Sequence, residues 1–260
     1  MMSDAPAHHL FCLLGPVNPN SKKLPEILVV IQVCLEGELS RNSVVEGFSR
    51  GKRASGDLIP WTIGQQYQDP DFPRLCGARI VRIATHPDYQ GMGYGAKALN
   101  LLKDYYEFKM VNLDEEHPIV SEKIENVPEE EVGLLEECIE PRKSLPPLLL
   151  KLDERPPEKL DYIGVSYGLT ESLLKFWKRA GFVPVYLRQT TNDLTGEHSC
   201  IMLNVLRTDE PETEQSNWLT AYWTDFRKRF ISLLSYQFST FSSSLALSIL
   251  TNKNCKLTPR

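Results

Sequence analysis

A strand, a glycine-rich turn and a helix follow one another without a break over residues 78–102. The β-branched residues Ile80, Val81 and Ile83 predict the strand. The turn that follows, Gln90-Gly-Met-Gly-Tyr-Gly-Ala96, lets the backbone approach a ligand closely because glycine has no Cβ. A helical apolar pattern begins at once, so the turn should sit at a helix N-terminus, where free N–H groups and the helix dipole favour an anion such as a phosphate.

The spacing of these glycines excludes two common phosphate-binding motifs. It is neither the G-x-x-x-x-G-K-[ST] of a P-loop nor the G-x-G-x-x-G of a dinucleotide-binding fold, and no acidic residue ends a second strand about 20 residues on. The pattern Gln-Gly-x-Gly-x-Gly-Ala after a strand resembles the [Arg/Gln]-x-x-Gly-x-[Gly/Ala] loop of the GNAT acetyltransferases. That resemblance implies a loop for the pyrophosphate of acetyl-CoA; a merely structural glycine turn is the alternative.

Length and composition restrict the remaining possibilities. A chain of 260 residues is long enough for one generous domain, or for one domain and part of another. Its six cysteines are scattered without a C-x-x-C pair, which argues against a zinc site or a disulfide framework and favours a reducing compartment. We expect no metal. The start lacks the basic region of a signal peptide, and serines break the longest apolar run, residues 231–250, so no membrane span is predicted.

Hydrophobic patterning predicts an alternation of strands and helices. Besides the central strand, the expected strands are residues 8–14, 27–34, 58–63 (with a proline), 160–168, 182–188 and 198–206. Helices are expected after the glycine turn, to about residue 109, and over residues 170–181, with Thr170 or Ser172 near the N-cap and Gly181 after the end. A short helix through Phe48 is possible, and residues 65–74 should form a loop.

Two segments differ strongly in charge from the chain as a whole, whose net charge is −5. Residues 111–140 carry eleven acidic side chains and one lysine, which indicates a solvated insertion that continues through a proline-rich stretch to residue 157. From Trp218 to Arg260 the net charge is +5, and aromatic residues are interleaved with the basic ones. That pattern suits RNA binding, but an amphipathic helix that buries its aromatics against another domain is an equal alternative.

Several stretches together resemble one family within the GNAT superfamily, the RNA cytidine acetyltransferases. One of them is Phe176-Trp-Lys-Arg-Ala-Gly-Phe182, a helix that ends in Gly-Phe before a strand. The whole set comprises residues 57–61, 78–102, 146–151, 161–168, 176–188 and 192–199. The resemblance implies an α/β (α+β) GNAT fold with a mixed, mostly antiparallel sheet flanked by helices. It implies a GNAT domain over residues 1–207 with the insertion at about 111–157, a linker at 208–217, and the start of a basic, helical RNA-binding domain at 218–260.

The resemblance also implies an activity: transfer of acetyl from acetyl-CoA to the exocyclic amine of cytidine in rRNA and tRNA, giving N4-acetylcytidine in support of ribosomal RNA processing. Family members are longer and carry an ATP-hydrolysing, helicase-like module, so this chain is expected to be a fragment that lacks the ATP site. Expected partners are RNA, the missing helicase module, adaptor proteins and a second copy in a homodimer, with no membrane; the expected location is the nucleolus of the nucleus. The alternatives are a GNAT enzyme that acetylates a protein amine (histone, tubulin or N-terminus), and an inactive RNA or assembly adaptor.

Site residues follow from the loop and from the resemblance. The expected contacts of the cofactor are Ile83, Ala84, Thr85, Gln90, Gly91, Met92, Gly93, Tyr94, Gly95, Ala96 and Arg179. The expected RNA contacts are Arg227, Lys228 and Arg229. The catalytic base is unknown; Tyr167, His198 and His9 have suitable side chains, but each is more often structural.

Overall fold

The computed structural model describes residues 8–16, 25–51, 56–110, 149–206 and 217–253. Its strands are β1 (His8–Leu14), β2 (Ile27–Gly37), β3 (Cys76–Thr85), β4 (Tyr162–Gly168), β5 (Val183–Thr191) and β6 (His198–Val205). Its α-helices are α1 (Arg41–Ser49), α2 (Leu58–Tyr67), α3 (Tyr94–Tyr106), α4 (Glu171–Arg179), α5 (Asn217–Leu233) and α6 (Ser243–Leu250).

The six strands form one sheet in the order β1-β2-β3-β4-β6-β5. Every neighbouring pair is antiparallel except β3 and β4, which are parallel and are joined through α3. The prediction of a mixed, mostly antiparallel sheet is confirmed. The central strands read as apolar runs because both of their faces are covered.

Helices cover both faces of the sheet. On one face, Tyr167 of β4 contacts Trp177 of α4, with 6.2 Å between the ring centroids. On the other face, Tyr162 of β4 contacts Trp218 of α5 at 6.3 Å. Side chains of a strand alternate between faces, so Tyr162 and Tyr167 must point in opposite directions. Helices α3 and α4 therefore share one face, and α2 and α5 lie on the other.

The expected strand at residues 58–63 is wrong: this segment begins helix α2. Ile59 and Ile63 are both fully buried, and their spacing of four residues places them on one side of a helix. Pro60 falls in the first turn, where the missing N–H would have no helical partner in any case. The loop expected from residue 65 is also wrong in part, because the helix continues to Tyr67 and a 3-10 turn spans Phe72–Arg74.

The C-terminal segment packs on the sheet and shares its hydrophobic core. Trp223, Phe226 and Phe230 of α5 are at most 4 % exposed. After α5 the chain continues to α6 on the α4 face, where Lys178 Nζ donates to the carbonyl of Ser248 at 2.5 Å. Of the two roles expected for the tail aromatics, burial applies to these three residues. They are buried against the sheet of the same chain and not against a separate protein domain.

Several predictions concern residues outside the described ranges. These are the acidic part of the insertion (111–148), most of the linker (208–216) and the last residues of the tail (254–260). Within the described part of the chain, no helix is both long and apolar enough to cross a membrane. The same residues contain no cluster of three or more side chains suited to hold a metal ion.

Candidate functional site

Strands β3 and β4 diverge and leave a cleft in the middle of the sheet. Their pairing begins at Gly77 and Tyr162 and ends at Ile80 and Val165. Beyond that point β3 continues to pair with β2 as far as Thr85, while β4 pairs with β6. Each diverging strand therefore has one edge occupied by a neighbour and one edge facing the cleft, with backbone N–H and C=O groups that an extended ligand can pair with.

A bulge in β3 coincides with the start of this divergence. Arg82 lies opposite Gln32 of β2, but Ile80 lies opposite Val33, so Val81 is the extra residue. A bulge bends its strand and increases the local twist, which turns the end of β3 away from β4. The predicted cofactor residues Ile83, Ala84 and Thr85 all lie beyond the bulge, on the edge that faces the cleft.

The glycine turn lies directly after this strand and opens helix α3. Gly91 and Gly93 have φ angles of +77° and +87°, which only glycine adopts without strain, and a Cβ at either position would meet nothing within 4 Å. These two glycines therefore serve the shape of the turn, and the space beside them is open. No side chain within the described part of the chain caps the N-terminus of α3. The first N–H groups of the helix are thus available to an anion.

Gly95 has a different role, because close neighbours surround it. A Cβ on Gly95 would lie 3.3 Å from Oγ1 of Thr85 and 3.7 Å from Cε2 of Phe176. The end of β3, the first turn of α3 and the middle of α4 therefore meet at this residue. Sequence reasoning missed Phe176 as a wall of the site, since nothing in the local pattern of α4 indicates which side chain approaches α3.

Side-chain hydrogen bonds hold the turn against the strand. Gln90 Nε2 donates to the carbonyl oxygen of Thr85 at 3.3 Å, so its side chain positions the turn. The Tyr89 hydroxyl donates to the carboxylate of Glu26 at 2.6 Å, which ties the turn to the start of β2. The other predicted contacts, Met92, Tyr94 and Ala96, follow in the turn and at the start of α3, with Met92 66 % exposed.

Arg179 lies at the C-terminal end of α4, in a concave region that we call the basic basin. The basin has a volume of about 500 Å³ and is lined by Lys175, Lys178, Arg179, Ser248, Thr251, Asn252 and Lys253. Burial lowers the pKa of Lys178. Among the residues that the structure describes, no acidic side chain lines the basin. The structure thus places Arg179 in a cationic setting, on the same helix as Phe176.

The three side chains considered as bases all make other contacts. The Tyr167 hydroxyl donates to Sδ of Met202 at 3.1 Å, and burial raises its pKa well above the usual range. His198 lies 2.8 Å from the carbonyl oxygen of Arg188 and packs edge-on against Phe238. His9 lies on β1, two strands from the cleft, and its pKa is lowered mainly by burial. We assign none of them as the base.

The three predicted RNA contacts do not form one patch. The guanidinium of Arg227 lies 5.9 Å from the ring centroid of Trp223, and its Nε is buried without a hydrogen-bond partner among the described residues. Lys228 and Arg229 instead line a groove between α5 and β5. Arg188 of β5 lines the same groove, and sequence reasoning missed it because it lies 40 residues away in the chain.

Comparison with known proteins gives two family matches. Residues 1–207 match the model described as "GNAT acetyltransferase 2", and residues 218–259 match the model described as "Possible tRNA binding domain". The first match covers the sheet, the cleft and helices α1–α4, so the prediction of a GNAT fold is confirmed.

Three similar relatives are each named RNA cytidine acetyltransferase. The human protein is 68% identical over 98% of this chain and 25% of its own length. The protein of Saccharomyces cerevisiae is 56% identical over 96% of this chain and 24% of its own, and that of Achlya ambisexualis is 52% identical over 92% and 65%. The chain thus spans about a quarter of the human and yeast relatives. Among solved structures, the Escherichia coli ribosomal-protein-S18-alanine N-acetyltransferase superposes with a TM-score of 0.36 and 11% identity. The superposition covers 80% of this chain and 75% of that one and is too loose to bear on function.

Proposed function

Because this chain belongs to the GNAT acetyltransferase 2 family, we propose that it transfers acetyl from acetyl-CoA to the exocyclic amine of cytidine in RNA. The cleft between β3 and β4, which ends on the uncapped N-terminus of α3, is the observation that carries the proposal. The relatives' name supports cytidine as the acceptor, and the second family match supports tRNA among the substrates. We include rRNA because of the resemblance described above.

The cleft residues have separate tasks in binding acetyl-CoA. The cleft-facing edge of β3 at Ile83, Ala84 and Thr85 pairs with the amide groups of the pantetheine arm, much as an added strand would. The N–H groups of residues 90–96 hold the pyrophosphate, and open space beside Gly91 and Gly93 leaves room for it. Arg179 provides a positive charge for the phosphates of the nucleotide end. The bound acetyl-CoA supplies the activated acetyl group.

The acceptor makes particular demands on the protein. The lone pair of the cytidine exocyclic amine is delocalised into the ring, so the amine is a weak nucleophile. Tight positioning of the two reactants and stabilisation of developing negative charge must therefore provide much of the rate enhancement. The diverging strands fix the donor in the cleft, and backbone N–H groups of its edges are available as charge-stabilising donors.

For RNA, the proposal assigns Lys228 to a phosphate contact, while Arg229, which pairs with Asp225, and Arg227, which packs on Trp223, raise the positive potential. As implied by the resemblance, the whole protein acts with a helicase-like, ATP-hydrolysing module, pairs with adaptor proteins or a second copy, and works in the nucleolus of the nucleus. The division into domains at 1–207 and 218–260 stays a prediction.

Substitution of Gly95 tests the cofactor site. A glutamate there would place bulk and negative charge between Thr85 and Phe176, so we expect Gly95→Glu to abolish acetyl-CoA binding in calorimetry while the far-UV circular dichroism is unchanged. Asn100→Glu is a matched control, since it adds the same charge to an exposed site further along α3. Unchanged acetyl-CoA affinity in Gly95→Glu would contradict the proposed site.

Nucleoside analysis tests the acceptor. Incubation with acetyl-CoA and RNA should give N4-acetylcytidine by mass spectrometry, and Gly95→Glu should give none. Acetylation of histone or N-terminal peptides without RNA product would instead support a protein acetyltransferase. RNA binding without product from either acceptor, by a chain that binds acetyl-CoA, would support an adaptor role.

A further inference from the structure

We propose that single-stranded RNA docks in the groove between β5 and α5, with Arg188 and Lys228 as its main phosphate contacts. This inference rests on the proposed function and adds to it the place where the RNA strand lies. It assigns a binding role to β5, a strand of the acetyltransferase domain, and does not confine RNA contact to the C-terminal helices.

The groove has the dimensions of a ligand site. Residues 185–190 of β5 form one wall, α5 from Phe226 to Leu233 forms the other, and Gln66 and Tyr67 of α2 close one end. Its volume is about 570 Å³. Ligand sites in proteins commonly measure about 300–1,000 Å³, so the groove can admit a nucleotide unit of a longer strand.

All the charged side chains that line the groove are basic. Arg188, Lys228 and Arg229 face it, and no Asp or Glu of the described ranges lines it. Arg229 is already engaged, since its Nε lies 2.8 Å from the carboxylate of Asp225 and its guanidinium lies over the ring of Tyr67. Arg188 donates only to the hydroxyl of Thr190, at 3.0 Å, and neither Arg188 nor Lys228 forms an ion pair within the described residues. Two unneutralised cations thus face one groove, which favours a polyanion.

The edge of β5 adds backbone donors to these charges. β5 is the last strand in the sheet order, so within the described sheet its outer edge has no paired strand. Residues 188–191 are all exposed, and their pairing with β6 is irregular between Leu187 and Thr191. Backbone N–H groups are common contacts of RNA and DNA phosphates. The groove therefore offers donors of two kinds.

The groove lies at the cleft end of the sheet and on the face opposite the cofactor helices. Cys200 of β6 pairs with both Tyr167 of β4 and Leu187 of β5, so Leu187 is in register with the diverging part of β4. Two strand spacings, roughly 10 Å, separate β4 from β5. Helix α5 covers the α2 face, whereas the glycine turn opens α3 on the other face. An RNA strand in the groove can thus reach the cleft without meeting the phosphates of acetyl-CoA.

RNA fits this groove better than a protein segment does. The aromatic residues of its floor are nearly inaccessible: Phe226, Phe230 and Phe238 are 4%, 1% and 1% exposed. An amphipathic peptide would find little apolar surface to cover, whereas a sugar-phosphate backbone needs only the cations and N–H groups. The match of residues 218–259 to a possible tRNA-binding family points the same way.

The test compares two charge-matched double variants of the 260-residue chain. Arg188→Gln/Lys228→Gln removes the two groove cations that form no ion pair within the described residues, and Lys151→Gln/Lys159→Gln removes two exposed lysines that precede β4. Binding of a fluorescein-labelled single-stranded RNA of about 12 nucleotides is measured by anisotropy at several salt concentrations. Each single-strand phosphate contact contributes about 0.7 to the slope of log K against log salt, so the groove variant should lose about 1.4 of slope and bind roughly tenfold more weakly. The control should resemble the wild type. Thermal melting confirms that both variants are folded.

Four results would overturn the inference. The first is a groove variant with the wild-type slope and affinity, which would leave the proposed function intact if acetyl-CoA binding and RNA acetylation persist. The second is an equal loss in both double variants, which would indicate nonspecific charge. The third is a groove variant that loses binding of an acidic peptide, polyglutamate, but binds RNA as the wild type does. Photo-crosslinking with 4-thiouridine RNA should label peptides from residues 186–190 and 228–233, and labelling elsewhere alone would also contradict it.

Discussion

The ion pair between Glu36 and Arg79 joins three elements just before the cleft. The carboxylate of Glu36 is only 1% exposed, contacts Nε of Arg79 on β3, and accepts the backbone N–H of Ile59, at the start of α2, at 3.1 Å. The Arg79 side chain is 19% exposed. Within the described residues, groups from two other elements satisfy this buried carboxylate, and removal of either side chain should be costly.

The magnitude follows from what each substitution leaves behind. Removal of one partner of a buried ion pair costs about 3–5 kcal/mol because the other charge remains buried. Arg79→Ala leaves Glu36 fully buried, so we expect about 4 kcal/mol. Glu36→Ala leaves an arginine that can reach water, but it also leaves the Ile59 N–H without its acceptor; we expect about 3 kcal/mol. The double variant Glu36→Leu/Arg79→Met removes both charges and should cost about 1 kcal/mol or less.

Urea unfolding followed by tryptophan fluorescence measures these differences. The single variants should lower the midpoint with little change in slope, and the double variant should recover most of the loss. Acetyl-CoA affinity should be unchanged under conditions where each variant is folded, because the pair lies outside the cleft. Losses below about 1 kcal/mol in both single variants would refute the reasoning, since solvent would then be compensating each charge.

Three other perturbations test the turn, the C-terminal helix and the edge strand. Gly93→Ala, at φ +87°, should strain the turn by about 1–2 kcal/mol and weaken acetyl-CoA binding, whereas Gly93→Asn should do so less; calorimetry showing equal affinities would contradict this. Trp223→Ala should destabilise the chain by about 3–5 kcal/mol in urea titrations, since Trp223 is 1% exposed; a loss under about 1 kcal/mol would show that α5 is detached. Burial lowers the pKa of His9 below its usual value of 6.5. The unfolded chain therefore takes up a proton more readily than the folded chain, and stability should fall as the pH drops through 6.5. His9→Gln should reduce the difference between the unfolding midpoints at about pH 7.5 and 5.5, and an unaltered difference would refute this.

The glycine turn and its surroundings were predictable from the sequence because their signals are local. A β-branched strand, glycines at positive φ and an apolar helical repeat each depend on residues a few positions apart. The same holds for Thr170, whose hydroxyl accepts the N–H of Leu173 as the N-cap of α4. The resemblance added the fold, since the order of elements could be matched to a family.

Tertiary packing decided what local patterns could not. Residues 58–63 are rich in strand-forming side chains, yet Ile59 and Ile63 bury against the sheet as one helical face, and burial outweighs the weak preference of a short segment. From sequence alone, the tail aromatics fit stacking on RNA bases or burial equally well. The position of the sheet decides that those on the inner side of α5 are buried. Likewise, Arg188 and Lys228 are distant in sequence and meet only because α5 packs beside β5. Sequence alone therefore determined most of the strands and the glycine turn before α3, whereas the folded chain determined which side chains share a surface, because contacts between distant residues depend on how the whole sheet is covered.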